Sequence, residues 1–395
     1  MDTLLTAGRV LPGPVGERVP DGAVLVRGGR VAWVGPRAEA PAEAAAVPRR
    51  DFPGGTILPG LIDVHVHLAF DTGPDPAAMF AAVSDGELYE HMAARAEILL
   101  RAGVTTVRDL GDRNGLAIRL RDEIAAGRRP GPRVLSAAAP ITPPDGHCHF
   151  LGGEAATTAD ALELVRRHAR AGADLVKVMA TGGYLTNGGA LPWEAQFDTA
   201  ALKAITAEAH GLGLRVAAHA HGLVGIRAAL DADVDTIEHC GWEVAGGTRP
   251  DPGLMRELAA SGIAVCPTVH HGWPGIAARR EPGWLEDRLT AIGRARELGV
   301  TLVFGTDTGV RGAGFGRVAE AFALLVRAGQ PPAEVIASAT VEAARACGLA
   351  DVTGRLAPGL AADLLVVDGD PTADVTAIAA VRHVVAAGRP AEPAP

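Results

Sequence analysis

The chain has 395 residues, 48% apolar and 21% charged, the balance of a soluble globular protein of two or three domains or of one large domain with an appendage. Its formal charge of −9 argues against nucleic acid or an anionic membrane as the main partner. Thirteen histidines stand against four cysteines (Cys148, Cys240, Cys266, Cys347) that contain no C-x-x-C pair, so histidine rather than cysteine is the expected metal-binding residue. Gly8 and Arg9 interrupt the N-terminus before a signal-peptide core can form, and no run nears the ~18 apolar residues of a membrane span. A cytoplasmic location is expected.

Residues 1–56 read as short strands between turns. AVLVRGGRVAWVG carries two apolar runs around Gly28-Gly29, a hairpin pattern, and PRAEAPAEAAAVPRR reads as an exposed connection. Residues 357–395 repeat the style in GLAADLLVVDGDP and VRHVVAAGRP. Flanks of roughly 55 and 40 residues are each too small to bury a core alone. Together they are expected to form one small β domain.

Between them, in 57–356, strands are predicted near Leu61, Val104, Arg133, Asp174, Leu214, Val234, Ile263 and Thr301. Segments such as ALELVRRHARAG and AALKAITAEAHGLG carry apolar residues at helical spacing and end in Gly. Alternating β and α units over about 300 residues predict an α/β fold, a (β/α)8 TIM-type barrel. A doubly wound sheet is the competing fold, but LIDVHVHLAF lacks the Gly-rich turn it would need.

A barrel gathers its catalytic groups at the C-terminal ends of its strands, so polar residues that end apolar runs matter most. In LIDVHVHL, alternation puts Asp63, His65 and His67 on the face opposite Ile62, Val64, Val66 and Leu68. His-x-His on one strand face is a chelating pair, two satisfied core histidines being the plainer reading. In DLVKVMATGG, Lys177 points away from both Val176 and Val178. It is either an internal salt bridge or an amine carboxylated by carbon dioxide, an oxygen ligand able to bridge two cations. LRVAAHAHG and VDTIEHC bring His219 and His239 to strand ends, with His221 one step further on, and TLVFGTDTG ends in Asp307. A buried carboxylate near metals can ligate and accept a proton. Arg108 and Asp109, ending the second barrel strand, read as an ion pair behind the site.

LIDVHVHL, DLVKVMATGG, AAHAHG, DTIEHC and FGTDTG together resemble the metal-dependent amidohydrolase superfamily. The chain is most similar to its prolidase-like branch, which includes Xaa-Pro dipeptidase and ochratoxin-type amide hydrolases and borders on imidazolonepropionase. GVTTVRDLG and the closing GRLAPGLAADLLVVDGDP extend the likeness through nearly the whole chain. The resemblance implies a β-sandwich built from both termini and a binuclear site. His65, His67 and Asp307 would hold one metal, His219 and His239 the other, and a carboxylated Lys177 would bridge them. Two divalent ions are implied, and imidazole and oxygen ligands suit zinc. Asp307 would then move a proton from the attacking water to the leaving nitrogen.

Substrate contacts are expected from His147 or His149 in GHCHFLGGE, the resemblance favouring His147. His221 stands where some relatives carry an oxyanion-stabilising tyrosine, a departure that leaves the substrate class open. Tyr184, in a Gly-rich loop after Lys177, either lines the pocket or packs. His270, His271 and Trp273 follow the seventh strand with no role assigned. The expected activity is hydrolysis of a C–N amide bond in a small peptide-like or N-acyl amino-acid substrate. A cyclic amide hydrolase or a lactonase is the alternative on the same site. A non-catalytic scaffold is a remote alternative, because all six ligand positions are filled. The expected partner is a small-molecule substrate, with homo-oligomerisation left open.

Overall fold

The computed structural model describes residues 2–391, so Met1 and the expectation for 392–395 lie outside the described residues. The chain opens with β1 (Thr3–Val10), β2 (Val19–Arg27), β3 (Arg30–Pro36) and β4 (Arg49–Pro59). It continues through β5 (Leu61–Val66), β6 (Val104–Asp109), β7 (Arg133–Ser136), β8 (Leu175–Met179) and β9 (Arg215–Gly222). Then come β10 (Thr236–Val244), β11 (Gly247–Thr248) and β12 (Ala264–Cys266), and the chain closes with β13 (Leu364–Asp368), β14 (Val381–Ala386) and β15 (Arg389–Ala391).

Both chain ends meet in one seven-stranded sheet of order β15-β14-β13-β4-β1-β2-β3. The β2–β3 hairpin turns where the sequence predicts, through Gly28 and Gly29 at φ of 54° and 79°. A type I′ two-residue hairpin turn needs positive φ at both positions, which glycine adopts without strain. Leu5, Val24, Val26, Ile57, Leu364 and Val366 pack together on one side of this sheet. The segment expected to be an exposed connection forms two 3-10 turns, Arg37–Glu39 and Ala42–Ala46, and buries Ala44.

The middle of the chain alternates parallel strands with helices. One parallel set runs β5-β6-β7, and another runs β8-β9-β10-β12, with β11 antiparallel on β10. Single bridges join their margins, Ile141 to Val178 on one side, Val265 to Leu302 and Val66 to Thr308 on the other. The helix Thr158–Ala171 starts in a capping box of Thr157 and Asp160 and stops at Gly172, φ 86°. The helix Thr199–Gly211 buries Leu202, Ile205, Thr206 and Ala209, the spacing of one apolar stripe. Among the described residues, no helix is long and apolar enough to cross a membrane.

The expected strand from Thr301 is a correction. Only isolated bridges form there, although the Thr308 carbonyl accepts from the His67 amide at 2.9 Å and the Asp307 amide donates to the His65 carbonyl at 2.7 Å. The ladder breaks because the Asp63 carboxylate takes the Thr306 amide at 3.0 Å and Asp307 turns to φ 55°. Gly305 permits the approach, since a Cβ there would lie 2.5 Å from Cys266 Sγ and 2.8 Å from His65 Cβ.

Candidate active site

Strand alternation delivers the predicted polar residues to one cavity of about 450 Å³. His65 from β5, His67 just beyond its end, Lys177 from β8, His219 and His221 from β9, His239 from β10 and Asp307 all line it. Val176 and Val178, on the other face of β8, enter the apolar core instead. Four of the residues around this site hold left-handed backbone without being glycine: Cys148 at φ 58°, His239 at 69°, Thr268 at 51° and Asp307 at 55°. Such conformations carry strain and persist where surrounding structure holds them, often at functional sites.

Two donor groups line the cavity. His65, His67 and Asp307 offer ligand atoms within 4.8 Å of one another, and so do His219, His221 and His239. His65 Nε2 and His67 Nε2 lie 3.4 and 3.3 Å from Asp307 Oδ1. Donor atoms about 2.0–2.1 Å from one ion at tetrahedral angles stand about 3.4 Å apart, so this spacing fits a shared cation. The rings of His219 and His239 lie 4.4 Å apart, and those of His65 and His239 5.1 Å apart, which makes the two groups neighbours. Lys177 is buried beside them and its Nζ has no hydrogen-bond partner. An orphaned ammonium in such a place is costly, and a carboxylated amine would turn it into an oxygen donor. The residues present therefore fit divalent ions.

Three of the imidazoles are held by a hydrogen bond at one ring nitrogen. Nδ1 of His65 lies 2.8 Å from Glu238, leaving Nε2 to face Asp307. Glu238 also receives Arg108 at 2.7 Å and the Thr236 hydroxyl at 2.6 Å. His239 Nδ1 meets the Thr268 hydroxyl at 2.9 Å. His219 is turned the other way, with Nε2 donating to the Gly182 carbonyl at 3.0 Å, so Nδ1 is its free nitrogen. Burial, with Lys177 nearby, pulls the His65 imidazolium down to about 4, and burial among other imidazoles lowers His219 and His239 well below the usual range. All three are neutral near pH 7, the form in which histidine ligates. Burial also lowers Lys177, to about 8, against the pull of Glu238 and Asp307. Burial opposes the charge on Asp307, yet His65 and His67 hold its carboxyl down at about 2.

The predicted substrate contacts divide. His147 lines the cavity, its ring 4.7 Å from that of His219, with Nδ1 buried and unpartnered. Gly183 makes room for it, since a Cβ there would meet His147 Nε2 at 2.4 Å. His149 is not among the lining residues. Cys148 turns to φ 58°, and His149 begins a 3-10 turn with Nδ1 3.9 Å from Glu154. His221 lies inside β9, stacked 4.2 Å from His239, so it stands with the donor group as well as against the cavity. Its Nδ1 is 3.3 Å from Glu243 but not aligned for a hydrogen bond. Tyr184 lines the cavity and donates to the Glu243 carboxylate, which also binds Arg288 at 2.8 Å.

A family model, the amidohydrolase family, matches residues 56–391. The chain belongs to the amidohydrolase family. It is therefore a hydrolase of the class that acts on carbon–nitrogen bonds. This amidohydrolase is 28% identical over 431 residues to an ochratoxinase of Aspergillus niger, spanning 98% of this chain and 86% of that protein. It is 30% identical over 403 residues to an imidazolonepropionase of Cereibacter sphaeroides, spanning 91% of each. The crystal structure of a Xaa-Pro dipeptidase with methionine bound in its active site matches with a TM-score of 0.87 and 27% identity, over 99% of this chain and 100% of that one.

Sequence reasoning missed several groups of this amidohydrolase. Arg108 does not pair with Asp109 as expected but with Glu238, because neighbours on a strand face opposite ways. Asp109 instead accepts the Leu68 amide at 2.9 Å and the Gly111 amide at 3.1 Å. Glu238 had a readable signal, a carboxylate directly beside His239 at the end of VDTIEHC. Glu243, Thr268 and Arg288 carried none.

Proposed function

We propose that this amidohydrolase is a binuclear metal-dependent hydrolase that cleaves the amide C–N bond of a small peptide-like or N-acyl amino-acid substrate. The observation that carries the reading is Lys177, an unpartnered buried amine whose field reaches His65, His219 and His239, members of two neighbouring donor groups. His65, His67 and Asp307 would hold one ion, His219 and His239 the other, and the carbamate of Lys177 would serve both. That carbamate forms when Nζ bonds to the carbon of carbon dioxide and a proton leaves to water. Zinc suits the imidazole and oxygen donors. Bound divalent ions would polarise the scissile carbonyl and acidify the attacking water.

The remaining chemistry falls to the chain. Asp307, ionised at neutral pH, takes a proton on Oδ from the water and passes it to the leaving nitrogen. His147 and His221 offer N–H groups to the carbonyl oxygen as it gains charge. Glu238 holds His65, and Thr268 holds His239, with their free nitrogens turned inward. The scaffold of this reading is a (β/α)8 barrel over 57–356, closed through Ile141 and the 302–308 segment, with a small β-sandwich domain from 1–56 and 357–395. A cytoplasmic enzyme with a small-molecule substrate is the setting it implies.

Protein loaded with zinc should contain about two ions per chain and hydrolyse N-acyl amino acids or Xaa-Pro dipeptides. One ion or none, or no turnover of any amide, overturns the reading. The 30% identity to an imidazolonepropionase favours a second reading, a cyclic amide substrate on the same groups. Turnover of cyclic but not linear amides would select it.

A further inference from the structure

The cavity holds a second cluster of charge, away from the buried donors. Arg279 and Arg280 follow the short helix Trp273–Ala277, and Arg311 lies in the loop after Asp307. All three are exposed, and all three line the cavity at its outer rim. Arg288 lines it too, but Glu243 neutralises it at 2.8 Å. Among the described residues, no carboxylate forms an ion pair with Arg279, Arg280 or Arg311. Glu243 and Asp307 are the acidic residues of the cavity wall, and both are engaged elsewhere. Arg280 sits 4.4 Å over the ring of Tyr184, which keeps its guanidinium at the rim.

A chain of net charge −9 thus presents three uncompensated guanidinium groups at the mouth of its candidate site. Like charges gathered on two loops repel one another unless an anion joins them. Guanidinium forks match the two oxygens of a carboxylate, and positive charge lining a cleft concentrates anionic substrates. Trp273 and Ile276 supply apolar wall beside the arginines, suited to a short aliphatic stem.

We infer that Arg279, Arg280 and Arg311 select substrates with a carboxylate remote from the scissile bond, so that the preferred amides are those of acidic amino acids. This inference rests on the amide-hydrolase reading for its reaction, but not for its binding. N-acetyl-L-glutamate and N-acetyl-L-glutamine are nearly isosteric and differ in that one charge. Metal-loaded enzyme should show kcat/KM about tenfold or more higher for the glutamate derivative, and poorest turnover of N-acetyl-L-lysine. In Arg279→Ala/Arg280→Ala the glutamate-to-glutamine ratio should fall toward one, with metal content and thermal midpoint unchanged. Arg311→Ala should lower it in the same direction. Equal or better turnover of the glutamine or lysine derivative overturns the rim assignment and leaves the hydrolase reading standing. Calorimetry with glutarate separates the two claims. Binding that weakens about tenfold in the double variant supports the rim even where no amide is cleaved, a case in which the hydrolase reading falls. Glutarate binding indifferent to the variants overturns the rim.

Discussion

The terminal sheet and the parallel strands of the middle region obey the same alternation and bury opposite chemistry. In the sheet, the inward positions of β1, β2 and β13 are Leu5, Val24, Val26, Leu364 and Val366. In the parallel strands, equally buried positions are Asp63, His65, Lys177, His219, Glu238 and His239. Burying polar and ionisable groups is unfavourable unless they are hydrogen-bonded, paired or ligated, so the second region carries a cost that the sheet does not. The contrast suggests that the sheet stabilises and the strand ends react. Substitutions in the two regions should therefore separate activity from stability.

Lys177→Ala is the strongest test. It removes the one orphaned amine of the site without disturbing any hydrogen bond. Metal content should drop and activity fall by more than about 10³-fold, since groups acting as a unit fail together. Short carboxylates should restore part of both. Full activity in the variant would remove the bridging role.

Glu238 comes next, because it joins stability to reactivity. Glu238→Ala strands Arg108 as a buried, uncompensated charge, which should destabilise the fold by about 3–5 kcal/mol. Glu238→Gln keeps the shape and weakens its hold on His65 Nδ1. Metal affinity should fall about 10–100-fold in that variant, with a smaller shift in the denaturant midpoint. Unchanged metal affinity would mean that His65 needs no support from behind.

Much of the reactive region was legible because alternation is simple. His65 and Lys177 sit among apolar neighbours within strands, and His67 follows β5 by one residue, so the side each takes follows from counting. Counting fails where the backbone leaves the β region. Glu238 and His239 are adjacent yet both serve the site, because His239 turns to φ 69° and resets the alternation. The same physics hid the break after Thr301, where Gly305 and Asp307 interrupt an apolar run that reads as a strand. The rim arginines were illegible for another reason. They lie on exposed loops, and no local periodicity tells which loops fold over one cavity.

Gly183→Ala makes a smaller and more selective change. The added methyl meets the far end of the His147 side chain rather than backbone, so the fold should survive while the ring shifts. An activity loss of about tenfold or more with full metal content would place His147 against the substrate rather than in the packing. No change in kcat or KM would return it to a packing role.

Leu5→Ala should be the mirror image of the Lys177 variant. Leu5 is fully buried in the terminal sheet, within the cluster of Val24, Ile57 and Val366. Truncating it should lower stability by about 2–5 kcal/mol in denaturant titration. At temperatures where the variant remains folded, its kcat, KM and metal content should match the parent. A change in kcat would mean that the sheet transmits strain to the strand ends, through β4, whose last residue Pro59 is followed two residues later by the start of β5 at Leu61. The rigid apolar packing of a core makes such transmission physically reasonable, so equal kcat values would be informative. They would show that the short link at Gly60 isolates the site from the sheet that frames it.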